Sequence, residues 1–253
     1  MIVNIAAYHF TPIEDPAALT TSLRECAAAA ALRGTVLVAS EGVNIFLAGT
    51  AISIAQFVAK LRADPRLADI AIKESRSETQ PFARLKVKHK REIIAFRRED
   101  VSPLGGRAPS VAPATLARWI AQGHDDVGKP LVLLDTRNRE EVRHGTFAGA
   151  LTLPIDNFTD LPNAVAAHRE ALANATVVSF CTGGIRCEKA ALWMQANDMG
   201  NVLQLDGGIL GYFEQVGGYG YNGGCFVFDE RAALDANLRP IAPSVRQHES
   251  GPE

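Results

Sequence analysis

Two strings of this 253-residue chain combine chemically capable residues at a telling spacing. The first is Cys181-Thr182-Gly183-Gly184-Ile185-Arg186-Cys187, which follows the apolar run Thr176–Phe180 and precedes a helix-forming run, Glu188–Ala196. Strand, Gly-Gly loop and helix N-terminus in succession turn several N–H groups and the positive end of a helix dipole toward one point, and the residue there is a thiol. Such a setting favours thiolate and lowers the pKa of Cys181. Gly183 and Gly184 let the loop amides face inward with no Cβ in the way, while Arg186 adds a fixed cation or holds loop carbonyls. A merely structural thiol would require strand, glycines, arginine and helix to coincide by chance. Cys187 has two readings, a resolving thiol that pairs with Cys181 or accepts its sulfur, and a small packing residue; spacing leaves both open.

The second string runs from Arg84 to Arg98 and holds seven cations, Arg84, Lys86, Lys88, Lys90, Arg91, Arg97 and Arg98, against one acid, Glu92. On a strand, Arg84, Lys86, Lys88 and Lys90 share one face at intervals of about 7 Å, with Leu85 and Val87 on the other. The row suits a phosphate backbone. It equally suits a strand that uses lysine to block edge pairing.

Other candidates read as structural. Cys26 sits in an Ala-rich helical run and Cys225 follows Gly223-Gly224; both read as small packing residues. Glu41-Gly42-Val43-Asn44 reads as a hairpin turn, and His144 as a solvated loop residue.

The elements that must position these residues fall into two groups. Residues 2–10, 35–40, 43–48 and 70–74 read as strands and 17–32 and 53–63 as helices, the first capped by Asp15-Pro16. The order βαββαβ is that of a ferredoxin-like α+β domain, over 1–98. A Pro-, Gly- and Ser-rich stretch, 99–112, reads as a linker. From 113 to 225, apolar strands at 131–134, 176–180 and 202–205 alternate with helices, as in a parallel α/β sheet, and Cys181 lies beyond a strand's carboxyl end, where ligands bind in such sheets. Residues 226–253 read as a C-terminal segment ending in a polar, disordered tail.

The net charge of −2 argues against a globally basic nucleic-acid binder, so any such role falls to the local row. Four cysteines are too few for a disulfide scaffold, and none shows zinc-ligand spacing, so no metal site is expected. No run approaches the roughly 18 apolar residues of a membrane span. A cytoplasmic protein with reduced thiols is expected, with no cofactor evident and no obligate protein partner implied.

Asp135-Thr136-Arg137 with Glu141, Gly149-Ala150 with Leu153-Pro154, the strand-end cysteine and Asp206-Gly207-Gly208 resemble a rhodanese domain, in which the cysteine carries a persulfide in a cradle of loop amides. Asp135 and Arg137 are then expected to brace the loop. Four residues separate Cys181 from Arg186, one fewer than in the cysteine-dependent phosphatases, which suits a single sulfur anion better than phosphate. A more specific resemblance spans nearly the whole chain. Glu41-Gly42-Val43-Asn44, the basic strand ending Ile93-Ile94-Ala95-Phe96, the string Cys181–Ala190 and Asn222–Arg231 resemble the rhodanese-like tRNA uridine hydroxylases, without the Cys-rich C-terminal extension of longer members. The resemblance implies conversion of wobble uridine to 5-hydroxyuridine, molecular oxygen as co-substrate and tRNA as partner, and tilts the basic row toward RNA. A persulfide-carrying sulfurtransferase and a non-catalytic rhodanese module are the alternatives.

Overall fold

The computed structural model describes residues 1–98 and 100–241; the tail expected to be disordered lies, from 242, outside the described residues. The first domain is built from β1 (Ile2–Phe10), α1 (Pro16–Ala29), β2 (Arg33–Ala39), β3 (Gly42–Gly49), α2 (Ala51–Arg62), β4 (Ile72–Ser77) and β5 (Leu85–His89). Its sheet runs β4-β1-β3-β2-β5, antiparallel apart from the parallel β2–β5 pair. Strand alternation gives the sheet two unlike faces. Val3, Ile5, Val36, Val38, Ile45 and Leu47 pack under the two helices against Leu23, Phe57 and Leu61. Ala6, Tyr8, Phe10, Asn44 and Phe46 point the other way and line a cleft against the second domain.

Helix α1 ends three residues before its expected limit. Ala31 takes a left-handed φ of 53°, and Ala31 N and Leu32 N bond back to Ala28 O and Ala27 O, a Schellman stop made without glycine. Asp15 occupies the N-cap but makes no side-chain cap bond; its carboxylate instead accepts from Arg66 at 2.6 Å.

The second domain contains β6 (Ser110–Val111), α3 (Pro113–Gln122), β7 (Leu131–Asp135), α4 (Arg139–Val142), β8 (Gly145–Phe147), β9 (Leu151–Thr152), α5 (Leu161–Ala166), α6 (Arg169–Ala173), β10 (Thr176–Phe180), α7 (Ile185–Ala196), β11 (Val202–Leu205) and α8 (Gly208–Val216). The parallel sheet runs β6-β11-β10-β7-β9. Helices α5, α6 and α7 cover one face through Val165, Leu172 and Met194, and α3 and α8 cover the other through Leu116, Trp119, Ile209 and Phe213. The stretch expected as linker is not wholly one: Ser110 and Val111 form the edge strand β6, because Gln204 N on β11 and Asp206 N just after it donate to the carbonyls of Pro109 and Val111.

Along β12 (Tyr221–Gly223), β13 (Cys225–Phe226), β14 (Ala233–Leu234) and the turn between the last two, the chain touches both domains. Val227 and Leu234 join the core beneath α8, while Arg231 Nη1 donates to Ser75 Oγ at 2.7 Å and Glu230 N to Pro81 O at 3.1 Å.

Candidate active site

Strand β10 delivers Cys181 to the carboxyl edge of the parallel sheet, and α7 starts four residues later. Gly184 N donates to Cys181 Sγ at 3.2 Å. Of the loop glycines it is Gly184 that requires its lack of a side chain, with φ of 102° and the Tyr8 hydroxyl 2.9 Å from where a Cβ would stand. The outward-facing loop carbonyls are met by the N-terminus of α8, where Ile209 N donates to Cys181 O at 2.9 Å and Leu210 N to Thr182 O at 3.0 Å. This close approach explains Gly208: a Cβ there would lie 2.6 Å from both Cys181 O and Gly184 N.

Arg186 forms a buried fork with Glu141, at 2.5 and 2.6 Å. Glu141 also accepts from Asn138 N and Thr182 Oγ1, tying α4 to the cysteine loop. Burial by itself would raise the Cys181 thiol. The Cys187 thiol, the Arg186 guanidinium and the backbone amides of Arg186 and Gly184 outweigh it and lower Cys181 to about 5. Burial and the neighbouring Cys181 charge raise Cys187, which therefore stays protonated beside the thiolate, with Thr136 Oγ1 at 3.6 Å. Ile185 packs on Ala39 and Ile93 of the first domain.

Asp135 and Arg137 are fully buried and serve a neighbouring purpose. They pair with each other at 2.6 Å, and also hold Thr146 Oγ1 and Gly145 O, anchoring the β8–β12 ribbon. The carboxylate that braces the cysteine loop is Glu141, one turn further on. His144 packs against the Phe226 ring, 5.2 Å between centroids. Cys225 is buried and pushed up to about 12 by that burial. The four cysteines are free thiols.

A cleft of about 1000 Å³ opens between the two domains, with the Cys181 loop on one wall and the sheet of the first domain on the other. Several cleft residues carry no local sequence signal, because their partners lie far along the chain. Tyr8 Oη donates to Glu188 at 3.1 Å, and burial followed by the charge of Glu188 raises its phenol well above the ordinary value. Arg107, from the linker, clasps the same carboxylate at 2.7 Å. Lys73 Nζ donates to Gly183 O at 3.2 Å. Behind them Lys189 bonds Glu41 at 2.9 Å, Glu92 at 2.7 Å and Ile94 O at 3.2 Å, so the Glu41-Gly42 turn also carries an interdomain ion pair. Among the described residues no three His, Cys, Asp or Glu side chains converge as metal ligands, and no helix is long and apolar enough to cross a membrane.

Only Leu85–His89 of the basic string is a strand, and residues 90–98 form an irregular connection. Arg84, Lys86, Lys88, Lys90, Arg91, Arg97 and Arg98 are all exposed, and Arg97 lines the cleft.

Residues 2–93 match the model of the UPF0176 acylphosphatase-like domain and residues 113–215 that of the rhodanese-like domain. A tRNA uridine(34) hydroxylase of Xanthomonas campestris pv. campestris (strain 8004) is 66% identical over 251 residues, covering 99% of each chain. The chain belongs to the tRNA uridine(34) hydroxylase family. The Xylella fastidiosa (strain 9a5c) tRNA uridine(34) hydroxylase is 58% identical over 241 residues, covering 95% of this chain and 94% of its own. A solved Saccharomyces cerevisiae homologue of single-domain rhodaneses aligns over 42% of this chain and 80% of its own, at 17% identity and a TM-score of 0.34. In this tRNA uridine(34) hydroxylase family member the ferredoxin-like and rhodanese-like folds are thus joined so that the first domain roofs the thiol of the second.

Proposed function

We infer that this protein hydroxylates uridine 34 of tRNA at C5, with molecular oxygen as co-substrate and Cys181 as the reactive residue, and that it works in the cytoplasm. Full-length identity of 66% to relatives of that name supports the reaction class. The observation that carries the site is the Cys181 loop on one wall of an interdomain cleft of nucleotide dimensions, with Gly184 N donating to Cys181 Sγ. Position 34 lies in a single-stranded anticodon loop, so its base can enter a cleft at small unstacking cost.

Strand register supports an RNA path to that cleft. Lys86, Thr35, Phe46, Ala6 and Lys73 are consecutive partners across the first sheet, so Lys86 shares the cleft-side face with Lys73. Four strand spacings separate them, about 19 Å, a few nucleotides of extended backbone. Lys88 lies in the next such row, with Leu37, Asn44 and Tyr8. Phosphates gripped by Arg84, Lys86, Lys88, Lys90, Arg91, Arg97 and Arg98 place the anticodon loop over the cleft, and Phe228, half exposed at its rim, offers a ring for stacking.

The test is mass analysis of tRNA from a strain lacking this protein, complemented with wild type or Cys181→Ser. Loss of 5-hydroxyuridine in the deletion, restored by wild type alone, is expected; unchanged tRNA in the deletion refutes the reading. Thiocyanate formation from thiosulfate and cyanide, with tRNA unmodified, would identify a sulfurtransferase instead. Reversing Lys86, Lys88 and Lys90 to Glu should weaken tRNA binding and flatten its salt dependence; unaltered binding would return the strand to simple edge protection.

A further inference from the structure

Lys73 has no role so far beyond its bond to Gly183 O, and its surroundings are unusual for a lysine. It stands on β4 at the sheet edge, paired with Ala6, and lines the cleft beside the cysteine loop. Burial lowers its pKa, while Cys181, Asp206 and Glu214 oppose that effect from a distance. Among the described residues Lys73 has no carboxylate within salt-bridge reach, and it donates a single hydrogen bond, at 3.2 Å, so two of its three N–H donors are uncommitted on a residue that lines the cleft. A half-desolvated cation with spare donors stabilises a developing anion far better than it would in water.

Uracil provides such an anion. Its O4=C4–C5=C6 unit is a conjugated enone, and C5 becomes nucleophilic when a thiolate adds at C6. We propose that Cys181 Sγ adds to C6 of the target uracil and that Lys73 is the catalytic cation that donates to O4 of the resulting enolate. The inference rests on the function proposed above and names the nucleophile and oxyanion partner of that same site. The S–C6 bond forms from the thiolate lone pair as the C5=C6 π pair shifts to C4–O4. Proton uptake at C5, loss of the original C5 hydrogen as a proton, and expulsion of the thiolate restore the ring. The sequence is redox-neutral and needs no oxidant or reductant. Cys181 is fully buried, so the base reaches sulfur by displacing its roof; Lys73, hydrogen-bonded to the loop, belongs to that roof and can exchange Gly183 O for O4.

Two measurements on the full-length protein test this without oxygen. A tRNA bearing tritium at C5 of uridine 34 should release label to water with wild type, not with Cys181→Ser, and roughly 10²- to 10³-fold more slowly with Lys73→Met. Lys73→Arg should recover part of that rate. A tRNA carrying 5-fluorouridine at position 34 should form a covalent complex through Cys181, stable on a denaturing gel. Aerobic hydroxylation by the same preparations, read by mass, separates the two readings. Wild type that hydroxylates yet neither releases tritium nor forms the complex overturns the addition while leaving the function standing. Folded Lys73→Met, verified by its melting curve, releasing label at the wild-type rate overturns the role of Lys73.

Discussion

Replacing Lys189 with Met removes a cation that pairs with two carboxylates of the first domain. Lys189 is 2% exposed and its partners Glu41 and Glu92 are 14% and 17% exposed, so the variant strands two carboxylates at a nearly dry interface. Breaking a buried pair from one side costs about 3–5 kcal/mol, against about 0–1 kcal/mol for a surface pair. For a chain of this size that is a fall of roughly 6–20 °C in melting temperature. Adding Glu92→Gln to the variant should restore part of the loss, since the cost lies mainly in the stranded charge. The pH dependence has a definite sign. Burial pushes Glu92 up, but Lys189 and the amides of Phe96 and Arg97 outweigh it and hold the carboxyl below its ordinary 4.5. Its contribution is therefore complete above that value and lost as pH falls through the lower folded pKa. Calorimetry from pH 3 to 8 reads both effects. A loss under about 1 kcal/mol at neutral pH would refute the reasoning by showing the pair to be solvated.

Alkylation of Cys181 by iodoacetamide should be half-maximal near pH 5 and flat above it, whereas an ordinary cysteine titrates near 8.5; a midpoint above 8, followed by peptide mass analysis, would show the cradle inert. Gly208→Ala, at φ of 63° and 2.6 Å from two backbone atoms of the cysteine loop, should lose about 1–3 kcal/mol in denaturant melts and slow hydroxylation, and wild-type values in both would remove Gly208 from the site. Glu141→Gln leaves Arg186 without its counter-charge beside Cys181 and should destabilise by about 3–5 kcal/mol in the same melts; an unchanged midpoint would contradict the fork.

What could be read from residues alone follows a physical line. Thr176–Phe180 and Val202–Leu205 are strands at the expected limits because both are short apolar runs in a sheet covered on both faces. The cysteine loop was legible because strand, glycines and helix are local and adjoin. Tyr8, Lys73 and Glu92 were not, since their partners Glu188, Gly183 and Lys189 lie about a hundred residues or more away and meet them only when the domains dock. The Glu41-Gly42 turn is a turn, and its carboxylate does a second job that no local pattern encodes. Asp135-Thr136-Arg137 shows the converse: a strong motif beside the active strand whose charges serve the β8–β12 ribbon.

The return of residues 227–231 to the first domain has a consequence during synthesis. The first sheet can form as soon as β5 leaves the ribosome, but its cleft-side face waits for Glu188, Lys189 and finally Arg231, whose guanidinium reaches Ser75. At ordinary elongation rates that delay is on the order of ten seconds. Until the second domain docks, Tyr8, Phe10 and Phe46 lie on a folded domain without their partner surface. The interdomain cleft is therefore assembled last, once the second domain and the 227–231 strap have both met the first sheet.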